Sequence, residues 1–318
     1  MFKLSVILPT YNPNLDYLRQ TLEALKHQSL PSEQWELVLV DNHSTTDFRQ
    51  EIDLSWHPAA IIVSEWQQGL TFARLKGFAS AQAALIVLVD DDNILESHYL
   101  ERVIQIFAEH PDLGAIGGRS IPSFDGSPTP WSAEFYGNLA LRDLGEKPII
   151  EQWESKYPHA APIGAGMALR AGALARYISV SKEKEHAVPD RVGDALSSGG
   201  DNDIILEVLQ AGWKVGYFPA LSLRHIIPAR RTQKEYLGRL CHDTNKSWIM
   251  VLEHHHINPW HMFPAWTAPF RKLRAWFSYK AWRSEVHYIK WRGACGLFEG
   301  LIRSNKSPHN GGSGITHL

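Results

Sequence analysis

Short apolar runs alternate with helix-patterned stretches through the first 120 residues. KLSVILP (3–9) is rich in β-formers and closed by proline. WELVLVD (35–41), AAIIVSE (59–65) and ALIVLVD (84–90) repeat the pattern, and LGAIGGRS (113–120) gives a fifth strand. Between them, Leu15, Leu18, Leu22 and Leu25 recur at helical spacing over 14–27, and residues 70–82 and 97–109 also read as helices. Strands apolar on both faces, alternating with helices, predict an α/β fold with a mostly parallel central sheet covered on both sides. Residues 121–162 are rich in Pro, Gly, Ser and Trp and predict a surface segment that leaves the sheet. Residues 179–200 are polar and glycine-bearing, as in a mobile loop. DIILEVLQAG (203–212) predicts a helix closed by Gly212, then a strand over WKVGYFP. Beyond about 232 the pattern is helical and aromatic.

In such sheets ligands bind beyond the carboxyl ends of the strands. The polar residues there are Thr10, Tyr11 and Asn12, then Asp41 and Asn42, then Asp90, Asp91 and Asp92. Three adjacent carboxylates repel one another. One aspartate would serve a helix N-terminus. Three are better explained by a divalent cation with hard oxygen ligands, Mn²⁺ or Mg²⁺, bridging to substrate phosphates. Taken singly, the Asn and Asp residues after the first two strands are ordinary turn chemistry.

Six segments in order, LSVILPTYN, LVLVDNHSTTD, GLTFARLKGF, VLVDDDNIL, GAGMALR and GGDNDIILEVLQAGWKVGYFP, resemble the family 2 glycosyltransferases over residues 3–226. That family has the GT-A nucleotide-diphospho-sugar transferase fold. LSSGGDND is more loosely similar to the cyanobacterial hormogonium polysaccharide branch. The resemblance implies that Pro9, Thr10, Tyr11 and Asn12 line the nucleotide, with Tyr11 stacked on the base and Asp41 hydrogen-bonded to it. Arg74 would lie near the base or the diphosphate, although Leu75 stands where the family often has Asn. In one register Asp90 and Asp92 hold the metal; in another Asp91 meets the ribose and Asp92 the metal. His225 would approach the metal or diphosphate, or else pack as an ordinary histidine. Asp201 would be the general base, with Asp203 as the competing position, and Gly200 stands where family members carry Glu.

Net charge is −2, but it is unevenly spread. From Arg230 onward there are 14 Lys+Arg against 5 Asp+Glu, a net of +9; the first 229 residues carry 18 against 29, a net of −11. Seven of the twelve tryptophans lie from 213 onward, so the basic tail is also aromatic. Either it lies on an anionic membrane surface, or its aromatics pack back on the catalytic domain or a partner chain. EHHHIN (253–258) resembles a metal tract but reads as a polar helix end, because consecutive helical residues point in different directions. Cys241 and Cys295 have no metal spacing and fit a reducing compartment. No signal-peptide pattern or run of membrane-spanning length occurs.

The expected organisation is a catalytic domain over 1–230, with a nucleotide-binding half (1–120) and an acceptor half (121–230), and a helical extension over 231–318. The expected activity is metal-dependent inverting transfer of a sugar, of the hexosyltransferase type, from a nucleotide-diphosphate sugar, UDP-linked, to a hydroxyl of a glycan or lipid-linked acceptor in polysaccharide biosynthesis. The expected location is cytoplasmic, with peripheral attachment at the inner membrane face if the tail binds lipid, and no nucleic-acid partner. The rival readings are a silent nucleotide-sugar-binding scaffold and a metal-dependent phosphohydrolase.

Overall fold

A computed structural model of the chain describes residues 1–182, 190–191 and 196–302. Half of the 179–200 segment (183–189 and 192–195) and the end of the tail (303–318) lie outside them. The first half is β1 (Leu4–Thr10), α1 (Leu15–Lys26), β2 (Trp35–Asp41), β3 (Ala60–Ser64), α2 (Leu70–Ser80), β4 (Leu85–Leu88), β5 (Asn93–Leu95), α3 (Tyr99–Glu109) and β6 (Leu113–Asp125). The second half is β7 (Ile149–Glu151), β8 (Ala168–Arg170), α4 (Ala175–Lys182), α5 (Gly200–Gln210), β9 (Lys214–Pro228), α6 (Lys234–His254), α7 (Ala268–Ser278) and α8 (Glu285–Gly300).

The strands form one sheet in the order β3-β2-β1-β4-β8-β6-β9-β5, with β7 paired to β9. β1, β2, β3 and β4 are mutually parallel, as are β6 and β9, while β8, β5 and β7 run antiparallel to their partners. The alternation within each strand explains the double-sided burial. Leu4, Val6 and Leu8 of β1 pack with Leu18 and Leu22 of α1 and Leu100 and Val103 of α3. Ile7 points the other way, to Ala73 and Phe78 of α2 and Ile204 and Val208 of α5. Each such side chain, fully buried, contributes about 1.5–3 kcal/mol. Gly77 lets α2 approach closely, since a Cβ there would stand 2.3 Å from Ile7 Cγ2.

Three short strands carry most of what the sequence pattern did not show. β5, β7 and β8 have three residues each, too few for a period of their own. The 121–162 segment, expected to leave the sheet, does so only in part: β6 runs on to Asp125, and β7 returns to pair with β9. β9 runs 15 residues, well past the expected WKVGYFP, and forms the parallel partner of β6 and the antiparallel partner of β5.

His57 is buried against Trp35, with ring centroids 4.1 Å apart, and its Nδ1 accepts from the Ala59 amide at 3.1 Å. Burial lowers its pKa to about 4, so the folded chain keeps the ring neutral. The unfolded chain takes up a proton below the ordinary value near 6.5. Thermal stability is therefore expected to fall as pH drops from about 6.5 towards 4. His57→Gln should flatten that part of a melting-temperature profile. An unchanged slope in the variant would mean another group sets it.

The C-terminal helices pack on the sheet domain. Leu237, Leu240 and Cys241 of α6 and Ile289 of α8 join Phe135, Leu139 and Ile227 in one apolar cluster. Trp276 and Trp291 meet edge to face at 4.8 Å. The tail thus divides: α6 and α8 pack inward, whereas α7 leaves several large apolar side chains exposed.

Candidate active site

The three aspartates follow β4 and turn tightly into β5. The Asn93 amide donates to Asp90 O at 3.0 Å, and the Asp90 amide donates to Asn93 Oδ1 at 3.2 Å. Because β5 pairs with β9, Asn93 stands opposite His225, and the Ile226 amide donates to Asp92 O at 2.9 Å. That register fixes Asp92 between His225 and Arg231. Its Oδ1 lies 3.2 Å from His225 Nε2 and accepts from Asn93 Nδ2 at 3.0 Å, while its Oδ2 accepts from Arg231 Nη1 at 3.0 Å.

The cluster is therefore three different sites. Burial pushes the Asp92 carboxyl up, but His225 and Arg231 outweigh it and hold the group well below the usual carboxylate range. Asp91 takes the Thr10 hydroxyl at 2.5 Å, yet burial, reinforced by the charge of Asp92, pushes it up to about 7. Asp90 is also raised by burial, against the pull of Arg74. Three consecutive carboxyls, two of them raised by burial, fit a divalent cation bound through hard oxygens.

A second acidic group gathers round Arg74 of α2, which is 1% exposed. Its guanidinium pairs with Asp201 and lies 3.9 Å from Asp190. Asp190 also accepts from Thr71 Oγ1 at 3.1 Å. The Gly164 amide donates to Asp201 Oδ2 at 3.0 Å. Here two glycines have a steric reason. A Cβ on Gly164 would stand 2.3 Å from the Asp201 carboxylate, and one on Gly200 would stand 2.2 Å from Asp190 Oδ2. Asp190 thus occupies the space that a glutamate at position 200 would need.

Asp203, two residues along α5, is turned away. It accepts from or shares a proton with His255 Nε2 at 2.7 Å. Its side chain is 11% exposed, against 26% for that of Asp201. The histidine tract does end a helix, but His255 is buried rather than solvated. Among the described residues, the His/acidic group whose ligand atoms all lie within 4.8 Å is Asp203, Glu207, His254 and His255, not the trio Asp90, Asp92 and His225.

At the other end of the strand edge, Asn12 adopts φ 46° and its Oδ1 accepts from the Thr45 amide at 2.8 Å, which ties the β1 and β2 loops together. Asp41 accepts from the Ser44 amide and from Arg49 Nη2, each at 2.9 Å, and these bonds overcome burial to lower its pKa. Tyr11 is half-buried beside the buried Pro9 and Thr10.

Residues 5–176 match the sequence profile of glycosyl transferase family 2. The chain belongs to glycosyl transferase family 2. It is 25% identical over 256 residues to the O-antigen chain rhamnosyltransferase WbaN of Salmonella anatum, covering 78% of this chain and 75% of WbaN. It is 23% identical over 159 residues to the glucosyl-dolichyl phosphate glucuronosyltransferase of Haloferax volcanii, covering 49% of this chain and 50% of that protein. The chain thus spans half the length of the glucuronosyltransferase. The fold matches that of Staphylococcus aureus TarS solved with UDP-GlcNAc, at TM-score 0.54 and 12% identity over 94% of this chain and 90% of that one. This family 2 glycosyltransferase therefore has the GT-A fold, a mostly parallel sheet with helices on both faces and C-terminal helices added.

Arg231, Asp190 and Gly164 escaped the sequence reading. Arg231 lies 139 residues from its partner Asp92, and Asp190 lies 119 residues from Thr71. Only the basic pair in PARRT hinted at the former. Gly164→Ala is expected to displace Asp201 and lower transfer about 100-fold with UDP binding intact, the scale of a misplacement near 1 Å. Steady-state kinetics with calorimetric UDP titration would check it; full activity would mean the Gly164 contact does not place Asp201.

Proposed function

We propose that this enzyme is a metal-dependent inverting transferase, moving a sugar from a UDP-sugar to a hydroxyl of a glycan or lipid-linked acceptor in polysaccharide biosynthesis. The observation that carries the reading is the contrast between the two candidate bases. Asp201 is fixed by Arg74 and the Gly164 amide yet remains partly open, whereas Asp203 is covered by His255.

Asp201 takes the proton of the acceptor hydroxyl as that oxygen bonds to the anomeric carbon. The bond from that carbon to the β-phosphate oxygen breaks, and its electron pair leaves with UDP. Asp92 and Asp90, with His225 beside them, would hold a Mn²⁺ or Mg²⁺ ion that neutralises the leaving diphosphate. Pro9, Thr10, Tyr11 and Asn12 would line the nucleotide, with Asp41 at the base and Asp91 as the alternative ribose contact. Arg74 serves as a positioning residue, because its guanidinium is engaged by Asp201 and Asp190. Acceptors of the lipid-linked kind would be met at the inner face of a membrane, with the extension over 231–318 beside it.

Asp92→Asn is expected to remove the Mn²⁺ dependence of UDP binding, with affinity falling about 10–100-fold. Isothermal titration with and without Mn²⁺ would read this; undiminished Mn²⁺ dependence would sink the assignment of Asp92. Thermal stabilisation by a panel of UDP-sugars would identify the donor, because a ligand of the folded state alone raises stability. Phosphate release without an acceptor would favour a phosphohydrolase.

A further inference from the structure

Helix α7 turns to solvent a face of a kind that cores normally cover. Trp266, just before the helix, and Phe270, Leu273 and Phe277 follow at steps of four, three and four residues, which aligns them on one side. They are 71%, 68%, 57% and 60% exposed, and Trp282, beyond the helix, is 59% exposed. The helix is nonetheless firmly seated by its other side. Ala268 joins Ile249, Phe263 and Leu301 in a small core, and Lys272 Nζ donates to Glu299 Oε1 of α8 at 2.8 Å. The stripe is what remains after packing.

Its surroundings are cationic. Residues 254–284 contain Arg271, Lys272, Arg274, Lys280 and Arg283 and no Asp or Glu. Arg271, Arg274, Lys280 and Arg283 are exposed. At 11 residues α7 is far shorter than the roughly 20 a spanning helix needs. No described helix is long and apolar enough to cross a membrane.

We propose that this stripe is a docking face for an anionic bilayer, with α7 lying in the plane of the interface. The aromatic and leucine side chains enter the boundary between headgroups and acyl chains, and the flanking cations meet lipid phosphates. Tryptophan suits that boundary because its ring is apolar and its N–H polar. A second copy is a poorer occupant, since a two-fold contact would set the same cations against each other with no acid in the segment to pair them. α7 packs on α8, whose Lys290 Nζ donates to Glu134 Oε2 at 2.5 Å, so the face is tied to the 130–139 segment. Docking would hold the catalytic domain where a lipid-linked acceptor is presented; that purpose rests on the transfer reaction proposed above, whereas the docking does not.

Flotation of the full chain with phosphatidylcholine vesicles, with and without phosphatidylglycerol, tests the proposal. Wild type should float only with the anionic vesicles, and less as salt rises. Combining Phe270→Ser, Leu273→Ser and Phe277→Ser should cut partitioning by more than about tenfold, with an unchanged melting curve. Arg274→Glu with Arg283→Glu should weaken it by at least about fivefold per residue. Both variants should retain UDP binding and transfer to a soluble acceptor. The proposal is overturned if wild type does not float, if the triple-serine variant floats equally well, or if that variant dissolves a wild-type dimer seen in sedimentation. Asp201→Asn separates the two readings: it should still float while failing to transfer. Flotation lost with transfer intact in wild type would count against docking alone.

Discussion

Asp201→Asn is expected to lower sugar transfer about 10²–10⁴-fold while UDP binding stays intact. The substitution keeps the shape of the side chain. The Gly164 amide, now 3.0 Å from Asp201 Oδ2, can still donate to an amide oxygen. What disappears is the basicity needed to accept the acceptor's proton as its oxygen attacks. The donor end should notice little, because the groups proposed to bind diphosphate and metal follow β4, where Asp92 is held by His225 and Arg231, and Asp201 acts on them only through its charge on Asp90. Single-turnover assays, which separate chemistry from release, would read the loss. Transfer at wild-type rate in the variant would remove Asp201 from the role. Loss of transfer with Asp203→Asn alone, and not with Asp201→Asn, would move the base to the residue now covered by His255. A wild-type chain that binds UDP-sugar but never transfers would instead support the scaffold reading.

The sheet was legible because burial on both faces leaves a plain signature. In β1, β2 and β4 nearly every residue is apolar, and the parts facing α1 and α3 alternate with those facing α2 and α5. The polar strand ends were legible for the same reason: they begin where the apolar run stops. β5 and β8 were not, since three residues inside a turn or a glycine-rich stretch have no periodicity to detect. Contacts between distant segments were also hidden. Gly200 looked like a departure from the family, and its reason is the Asp190 carboxylate, which sequence spacing cannot place above it. His255 read as part of a polar helix end, and its partner Asp203 is 52 residues earlier. In the tail, helical spacing was visible but the buried side was not. Only packing against α8 shows that Ala268 and Ala275 face inward while Phe270 and Phe277 face solvent.

Arg74→Met is expected to destabilise the fold by about 3–5 kcal/mol, the cost of removing one member of a buried ion network and leaving the others without counter-charge. The guanidinium faces Asp201 and Asp190 directly, and its charge also opposes the burial that raises the Asp90 pKa. Burial raises Asp190 as well, again with Arg74 as the main opposing influence. Methionine approximates the volume but supplies no charge, so both carboxyls should rise further. The sign of the pH dependence follows. A carboxyl raised in the folded state takes up protons that the unfolded chain would not hold, so its penalty is full above the folded pKa and is relieved as pH falls through it. The deficit of Arg74→Met relative to wild type should therefore be largest at neutral pH and shrink on acidification. Arg74→Lys should retain part of the stability, because the charge survives but the planar fork that reaches two carboxylates does not. Adding Asp190→Asn to Arg74→Met should recover part of the loss by removing one of the stranded charges. Urea unfolding of the three variants across pH would check this. A deficit independent of pH, together with no recovery in the double variant, would mean that Arg74 stabilises the fold through packing rather than by neutralising the acids around the base.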